Sequence, residues 1–598
     1  MSAEPASIDG ASSPRSVRRD LLLLAIAALV VFGAGIGLRN PWPADEPRFA
    51  LIARDMVATG QWFFPEVGAE LYADKPPVFF WMIAALYALT GSLRVSFLLP
   101  SLAAAGVTLA LVYDLGRRFW GHRAGILAAA TLIATAQFAL QARAAQIDMT
   151  LCMFTTLGIY GLARHLIGGP RWGWYVVGFA AMGAGIITKG VGFLPALALV
   201  PWGWAAWKGW PEATRTRSWK WLIGPVAMLA VVGLWLAPML WLVEASGDPS
   251  YAAYRDEILF KQTGERYASS WHHVKPAWYF VVNVIPALWL PFSIAIPWLV
   301  PRWRERLKER DTKILLLLGW AVCVLVFFSI SPGKRGVYIL PALPAFALAA
   351  APWLREMWER KIVNRIGFAI AFLAAVALSG GLVFGRFVRP DRVAALAEKY
   401  DIEFPWGPLI ALALVAIALL ASFRVRRGTA ALTGLIVSVW IVLGFWIAPR
   451  IDSVRSGERL MGELQQKLAP GDEVGMVAWK EQFLLYVSRP VTLFGHRRFD
   501  VEQEVLDGAA WLDGGVARRL FLDEANRDLC FGKRGVLVGH AHRENWYLVS
   551  RAELEATCRG RGHADVAHEY RPPRPSHRAP AMAARAAGGL RAAATAVH

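Results

Sequence analysis

The chain has 598 residues, of which 56% are hydrophobic and 28 are tryptophan, and its mean hydropathy is +0.39. Soluble domains rarely average a positive hydropathy, so the composition excludes an ordinary soluble protein and indicates a polytopic membrane protein with some soluble mass. The formal net charge of +19 lies in short basic clusters between apolar runs. That pattern is typical of cytoplasmic loops, and we therefore expect no nucleic-acid partner.

The N-terminal segment predicts a cytoplasmic start followed by a first membrane span. Residues 1–20 are polar and end in Arg15, Arg18 and Arg19, and Leu21–Leu38 is an apolar run of spanning length. A cleaved signal peptide is the alternative, but the run is long for one and lacks a small-x-small cleavage pattern. The three arginines predict that the N-terminus lies inside.

A polar stretch, residues 45–77, follows this span. It begins Asp45-Glu46-Pro47-Arg48 and ends Asp74-Lys75-Pro76-Pro77, with an amphipathic helix predicted over Ala50–Gly60. Leu51, Ile52, Met56 and Val57 share one face of that helix, opposite Arg54 and Asp55. Charged residues held between membrane spans cost free energy unless they have a function, so we interpret this stretch as a candidate functional site. A solvated loop that connects two spans is the alternative.

The next apolar segment decides the topology. Residues 77–89 are short for a span and predict an interfacial or re-entrant helix, so that Val95–Leu115 becomes the second span. Every strong basic cluster then lies inside, and the positive-inside rule favours about thirteen spans. The predicted membrane domain covers residues 21–449. Its outer loops, which are the candidate catalytic loops, are 39–94, 141–149, 244–277 and 331–336. Its basic cytoplasmic clusters are 117–123, 208–220, 302–313, 355–365 and 424–427.

The composition changes at Arg450, and residues 450–570 predict a periplasmic α/β domain. A helix is predicted over Ser453–Leu468 and strands over 474–478, 519–522, 536–538 and 546–549. Residues 571–598 form a Pro/Arg/Ala-rich tail that we expect to be disordered. Cys530 and Cys558 are expected to form a disulfide, because free thiols tend not to persist in the periplasm, and two separate buried thiols are the alternative. Cys558 follows the stretch Ala552–Thr557, which is predicted to be helical.

Two classes of membrane protein carry charged clusters on one face. A lipid-linked-sugar transporter or flippase would place charges along a pathway, often with repeats and helices broken at the midplane. This chain has no such repeat, its charges lie at one surface, and an α/β domain follows the spans. These features favour an enzyme that acts on a lipid-linked substrate.

The ordered outer motifs resemble those of the bacterial aminoarabinose transferase (ArnT-like) family, which is related to protein O-mannosyltransferases. The resemblance covers roughly residues 21–344, and its motifs are Asp45-Glu46-Pro47-Arg48, Asp74-Lys75-Pro76-Pro77, Gln146-Ile147-Asp148, Thr188-Lys189-Gly190, His273 before Pro276, and Lys334 with Tyr338. It implies a mainly α GT-C fold and an inverting glycosyltransferase that moves a sugar from a polyprenyl phosphate to a periplasmic acceptor. The acceptor can be a lipid A-like glycolipid or, as in the O-mannosyltransferases, a protein.

The chemistry assigns roles to these motifs. The resemblance implies Asp45 and Asp148 as the catalytic carboxylates, although Asp148 could also cap the helix that follows it. The donor phosphate needs cations at the membrane surface. The residues predicted to bind it are Arg48, Lys75, Lys189, Lys334 and Tyr338, with Arg335 in reserve; headgroup snorkelling is the alternative for Lys334 and Arg335.

The resemblance further implies a divalent metal ion held by a carboxylate and a histidine. Asp74 and His273 occupy those positions, but the family usually has Glu at the first, and two ligands are too few for a closed zinc site. Ordinary surface residues are the alternative. The expected partners are the sugar donor, the periplasmic acceptor and the bilayer of the inner membrane, with the chain acting as a monomer.

Overall fold

The computed structural model describes residues 14–260, 274–495 and 500–573. His273 and most of the C-terminal tail, residues 574–598, therefore lie outside the described residues. The first half of the described chain contains twelve α-helices, α1 to α12: Pro14–Phe32, Glu46–Thr59, Val78–Thr90, Leu93–Ser96, Leu99–Trp120, His122–Ala134, Ala136–Ala142, Ile147–Leu166, Trp172–Lys189, Leu199–Lys208, Ile223–Ser246 and Pro249–Asp256.

The second half of the described chain contributes thirteen more α-helices. In chain order, α13 to α25 are Ile285–Leu288, Phe292–Lys308, Thr312–Ile330, Ala342–Ala350, Leu354–Glu359, Lys361–Val383, Pro390–Tyr400, Trp406–Phe423, Gly428–Val442, Ala448–Arg455, Glu458–Lys467, Val501–Asp513 and Glu524–Cys530.

Six helices in the described ranges are long and apolar enough to cross a membrane, and eight if each of two bent helix pairs counts as one span. The six are Leu93–Trp120, Trp219–Ser246, Thr312–Ile330, Lys361–Val388, Trp406–Phe423 and Val425–Lys467. The chain is thus a mainly helical, multi-pass membrane protein, as its composition predicted. The total of about thirteen spans stays a prediction.

The first outer loop folds into a compact unit rather than a solvated connection. Helix α2 ends at Gly60, which adopts the left-handed conformation (φ 78°) that glycine tolerates. A two-stranded hairpin follows, with β1 at Glu66–Val67 and β2 at Glu70–Leu71. Helix α3 has 13 residues and so extends roughly 20 Å, which is shorter than the hydrocarbon core of a bilayer.

Helix α12 of the long loop 244–277 packs on this unit. The Tyr251 ring stacks on Phe64 with centroids 4.2 Å apart, and Gln61 Nε2 donates to the Tyr251 hydroxyl at 3.2 Å. The Trp81 indole of α3 donates to the Trp62 carbonyl at 2.8 Å. The first and third outer loops therefore form one packed surface.

The C-terminal region contains a six-stranded mixed sheet in the order β6-β7-β5-β3-β4-β8. Strands β3, β4 and β5 are parallel, and the other three pair antiparallel at the two sides. Their bounds are Glu473–Met476 (β3), Val491–Leu493 (β4), Arg518–Asp523 (β5), Val536–Ala541 (β6), Glu544–Ser550 (β7) and His568–Tyr570 (β8). Four of these strands overlap predicted segments, whereas β4 and β8 were not predicted.

One face of this sheet shares its core with the first outer loop. Met476, Phe521 and Trp546 on the sheet belong to the same buried cluster as Phe49 of α2 and Phe80 of α3. The opposite face packs on α24 and α25 through a separate cluster that includes Val505 and Leu522. The C-terminal region also covers the side of α2 where the sequence placed Arg54 and Asp55, because Arg54 contacts Leu484 and both residues contact Tyr570 of β8.

Two local predictions differ from the structure. Residues 453–468 form two helices, α22 and α23, because Gly457 between them adopts a left-handed conformation (φ 79°). The segment 552–557, predicted as helical, forms short 3₁₀ turns at Arg551–Glu553 and Ala556–Cys558.

The predicted disulfide between Cys530 and Cys558 is present, with the two Cα atoms 5.7 Å apart. Cys530 ends α25 and Cys558 ends a 3₁₀ turn, and both belong to the buried cluster under α24. The bridge thus ties the chain after β7 to the body of the sheet.

Replacing Cys558 with serine should lower the free energy of unfolding of this region by about 3 kcal/mol, because the crosslink restricts the unfolded chain. Hydrogen exchange of peptides from β5 and α24, followed over a urea series, measures this loss. Cys323→Ser, a thiol outside the sheet, is the matched control. Two reactive thiols at Cys530 and Cys558 in purified, unreduced protein would contradict the bridge.

Candidate active site

Asp45 lies at the N-cap of α2, yet its side chain makes no capping hydrogen bond with the described backbone. The carboxylate instead faces two guanidinium groups. Arg48 Nη1 lies 3.4 Å from Oδ1 and Arg335 Nη2 lies 3.9 Å from Oδ2. About a fifth of the Asp45 side chain (22%) is exposed, so one carboxylate is held at a solvent-accessible position between two cations.

Arg48 is buried and is already bound to protein carboxylates. Its Nε and Nη2 both donate to Oε1 of Glu481, at 2.9 Å and 2.7 Å, and its guanidinium carbon lies 5.7 Å from the Tyr72 ring centroid. Burial lowers the pKa of Arg48, but Glu481 and Tyr72 outweigh that effect, and the net shift is upward. Arg48 therefore stays charged and fixed in place.

Tyr72 connects this cluster to the Asp74-Lys75 motif. Burial raises the pKa of the Tyr72 phenol well above its usual value; the charge of Asp74 adds to the increase, and Arg48 opposes it. Lys75 Nζ donates to the Asp74 carbonyl at 2.8 Å. The structure thus places Asp45, Arg48 and Asp74 around one buried tyrosine.

A second cluster contains Asp148, Lys189 and Tyr338. Asp148 lies in the first turn of α8, where the helix dipole favours a carboxylate, and it forms an ion pair with Lys189 at the end of α9. Lys189 Nζ also lies 4.9 Å from the Tyr338 ring centroid. Gln146 is the N-cap of α8, so the capping alternative for Asp148 is wrong.

The segment Ser331–Ile339 reaches both clusters. Arg335 approaches Asp45, the Tyr338 ring lies beside Lys189, and the Tyr338 amide donates to the Arg335 carbonyl at 3.0 Å. Lys334 fixes the start of the segment, because its buried ammonium donates to the carbonyls of Lys275 and Ser331, at 2.9 Å and 2.5 Å. Burial lowers the pKa of Lys334.

Glu46, beside Asp45 in the first motif, joins the first two outer loops. It accepts two hydrogen bonds from Arg39, at 2.5 Å and 2.8 Å, one from the Trp42 amide at 2.9 Å and one from the Ala145 amide at 3.1 Å. Ala145 lies three residues before Asp148. This buried carboxylate thereby fixes the start of α2 relative to the start of α8.

Sequence reasoning missed Glu481, Tyr72 and the role of Glu46. Glu481 is 433 residues from Arg48 along the chain, so no local pattern joins them. Tyr72 could have been found as an aromatic residue two positions before the Asp74 carboxylate. Glu46 belongs to the quoted motif, but its three partner residues include Ala145, which is 99 residues away along the chain.

The expected metal pair cannot be assembled from the described part of the chain, since His273 lies outside it. Within the described ranges, no three His, Cys, Asp or Glu side chains form a metal-binding group. The metal ion expected at Asp74 and His273 therefore stays a prediction.

Comparison with known proteins gives consistent matches. The family profile described as "Dolichyl-phosphate-mannose-protein mannosyltransferase" matches residues 74–236. An undecaprenyl phosphate-α-4-amino-4-deoxy-L-arabinose arabinosyl transferase from Pseudomonas savastanoi is 30% identical over 379 residues, which cover 60% of this chain and 67% of the relative. A second such enzyme, from Pseudomonas fluorescens, is 29% identical over 457 residues, which cover 73% of this chain and 75% of that enzyme.

Solved structures share the fold. The crystal structure of ArnT from Cupriavidus metallidurans bound to undecaprenyl phosphate matches with a TM-score of 0.68 and 21% identity, over 89% of this chain and 98% of that one. The crystal structure of the same ArnT in the apo state matches with a TM-score of 0.66 and 20% identity, over 90% of this chain and 99% of that one. From the sequence relatives and this shared fold, we conclude that the chain belongs to the bacterial aminoarabinose transferase family of GT-C membrane glycosyltransferases.

Proposed function

We propose that Asp45, Asp148, Lys189 and Tyr338 form the centre of a site that transfers a sugar from a polyprenyl phosphate to an acceptor on the periplasmic side of the inner membrane. The chain is a glycosyltransferase that uses a lipid-phosphate-linked sugar. The observation that carries the site assignment is the convergence of both carboxylate clusters on the segment Ser331–Ile339. The related ArnT binds undecaprenyl phosphate, which supports the same carrier here.

The donor phosphate has accessible cations in this site. Lys189 is part-exposed beside Tyr338, Lys75 follows Asp74, and 47% of the Arg335 side chain is exposed. Charge-assisted hydrogen bonds from such groups stabilise a phosphodiester and, still more, the phosphate that leaves. The direct phosphate contacts of Arg48 and Lys334 stay predictions. Both cations already bind protein oxygens, so we assign them to positioning.

The two aspartates have different roles in this reaction, one as the base and one as the partner of a cation. An oxygen of the acceptor hydroxyl attacks the anomeric carbon while the bond from that carbon to the phosphate oxygen breaks. The hydroxyl proton moves to a carboxylate, and polyprenyl phosphate leaves with the bonding electron pair. Direct displacement inverts the anomeric centre. Asp45 is our candidate base, and Asp148 holds Lys189 toward the phosphate.

Asp45→Asn and Asp148→Asn should each abolish transfer while preserving the fold, because neither carboxylate supports an apolar core. Release of polyprenyl phosphate from a sugar-loaded donor in detergent measures the reaction. Asp391→Asn, at an exposed position on α19, is the control. Near-normal turnover by either variant would refute its role, and donor movement between leaflets without cleavage would favour a flippase.

Lys75→Ala should weaken donor binding about tenfold or more, since a charged hydrogen bond contributes about 1.5–3 kcal/mol. The measurement is the apparent affinity for the sugar-loaded polyprenyl phosphate. Lys399→Ala, which removes an exposed lysine from α19, is the matched control. An unchanged affinity in Lys75→Ala would move the phosphate site toward Lys189, whose replacement is then the next test.

The finer topology belongs to the same proposal: about thirteen spans, a periplasmic active site and a periplasmic α/β domain over residues 450–570. The span Leu93–Trp120 supports it. At one end, Arg94 pairs with Glu458 of the C-terminal region at 3.1 Å, and at the other end lie Arg117 and Arg118. The disulfide also favours an oxidising compartment for the sheet.

This topology predicts the labelling of single cysteines by a membrane-impermeant thiol reagent in intact cells. Ala69→Cys and Val516→Cys, at exposed positions of the hairpin and sheet, should react from the periplasm, and Arg217→Cys should not. Each of these variants is made in a chain that also carries Cys323→Ala. Labelling of Arg217→Cys from outside would mean that α3 crosses the membrane.

The acceptor defines the remaining alternative within the proposal. The family resemblance implies a lipid A-like glycolipid, and the match to the mannosyltransferase profile supports a protein hydroxyl. Both acceptors share the donor half of the reaction. Mass spectra of envelope glycolipids and glycoproteins, from cells with and without the chain, distinguish them.

A further inference from the structure

We propose that Glu481, contributed by the C-terminal sheet, is a positioning residue that keeps Arg48 from neutralising Asp45. The inference rests on the proposed function of Asp45 and adds a role for the C-terminal region in catalysis. Glu481 itself need not touch the substrate, because it acts through Arg48.

The geometry divides the Arg48 guanidinium between two carboxylates. The Nε–Nη2 edge is bound to Glu481 Oε1 at 2.9 Å and 2.7 Å, whereas Nη1 is 3.4 Å from Asp45 Oδ1. The short contacts therefore go to Glu481 and the long one to Asp45. A buried guanidinium needs a carboxylate, and without Glu481 the nearest one in this arrangement is Asp45.

The loop that carries Glu481 is held rigidly on both sides. The Ala478 amide donates to Glu504 Oε1 at 2.8 Å, and the Trp479 indole donates to the Gly495 carbonyl at 2.9 Å, which fixes the loop to the sheet. The Trp479 ring also packs against the backbone of Gly68 in the hairpin. Glu481 is thus presented to α2 by a preorganised support, as a positioning residue requires.

The second cation at Asp45 behaves differently. Arg335 lies 3.9 Å from Asp45 Oδ2, and nearly half of its side chain is exposed. A donor phosphate can therefore draw Arg335 away from Asp45, but it cannot easily draw away Arg48, whose side chain is 5% exposed. Once the donor is bound, the contact between Glu481 and Arg48 therefore determines how strongly Arg48 interacts with Asp45.

A purely mechanical role is the competing explanation, because the C-terminal region also docks on α2 about two turns further along. Arg54 donates to the carbonyls of Leu484 and Leu485 at 3.2–3.3 Å and contacts the Tyr570 hydroxyl. Tyr570 also donates to Asp55 Oδ2 at 3.0 Å. Tyr570→Phe removes a docking contact of the same interface without touching Asp45, and so provides a matched control.

The first measurement compares kcat and the donor KM of Glu481→Gln, Tyr570→Phe and the unmodified chain in detergent, per folded molecule. Glu481→Gln is expected to lower kcat about tenfold, because Asp45 becomes a weaker base, with a donor KM that is unchanged or lower. Tyr570→Phe should leave both constants unchanged. Equal losses in the two variants, or a raised KM with normal kcat in Glu481→Gln, would overturn the inference.

The pH dependence of kcat distinguishes this role from docking, because the loss of a docking contact alone should not shift it. The charged and titratable groups facing Asp45 are Arg48 on α2, Arg335 on the segment 331–339, and Tyr72 after β2, with Glu481 and Asp74 behind them. Loss of the negative charge at position 481 favours ionised Asp45, so the acidic limb of kcat should move to lower pH. An unshifted limb would contradict the proposal.

A double-mutant cycle completes the test. In an Arg48→Gln background, Glu481→Gln should have no further effect on kcat, since no guanidinium remains to be released. An additive loss would overturn the inference. The reference reactions separate this inference from the proposed function: an inactive unmodified chain or an active Asp45→Asn refutes the function, whereas a normal Glu481→Gln beside an inactive Asp45→Asn refutes only the role of Glu481.

Discussion

The carboxylate of Glu46 fixes the candidate site, because it receives hydrogen bonds from Arg39, from the Trp42 amide and from the Ala145 amide. A buried charge is tolerated where such partners surround it, and it is costly to leave without them. This requirement holds the segment Arg39–Trp42, the start of α2 and the segment before α8 in one arrangement. The positions of Asp45 and Asp148 both follow from it, since each lies within three residues of a segment that Glu46 binds.

The same principle explains why the site is rich in ion pairs before any substrate arrives. Asp148 holds Lys189, Glu481 holds Arg48, and backbone carbonyls hold Lys334. In the proposed reaction, the donor phosphate exchanges with some of these contacts instead of binding unpaired cations. The exchange is easiest at the exposed Arg335, so the site combines fixed cations that define its shape with a cation that can change partner.

The features of the fold and site that could be predicted from sequence are those that depend on residues close together in the chain. Helix α2, the short α3 and four strands follow from periodicity within single segments. The motif carboxylates Asp45 and Asp148 were identified because a family resemblance keeps their neighbours in order, and their roles stay proposals. Cys530 and Cys558 were paired by elimination, since the C-terminal region holds no other cysteine.

The missed features depend on tertiary contacts. Arg54 and Asp55 lie on the polar side of α2, as predicted, but the sheet covers that side, because Tyr570 and the carbonyls of residues 484 and 485 satisfy their charges. Strands β4 and β8 are three residues long and exist through their pairing with each other and with β3. Gly457 separates α22 from α23 because it adopts a left-handed conformation, and the spacing of apolar residues does not report φ.

The buried cluster shared by α2, α3 and the sheet has a consequence for how this protein can diverge. An exchange of the C-terminal region between relatives, cut at the compositional boundary near Arg450, would pass through the middle of one hydrophobic core. Residues such as Phe49, Phe80 and Trp546 must fit one another although they lie almost 500 positions apart. The sheet is therefore not a detachable module. Functional chimeras should require residues 46–93 and 450–573 to come from the same parent.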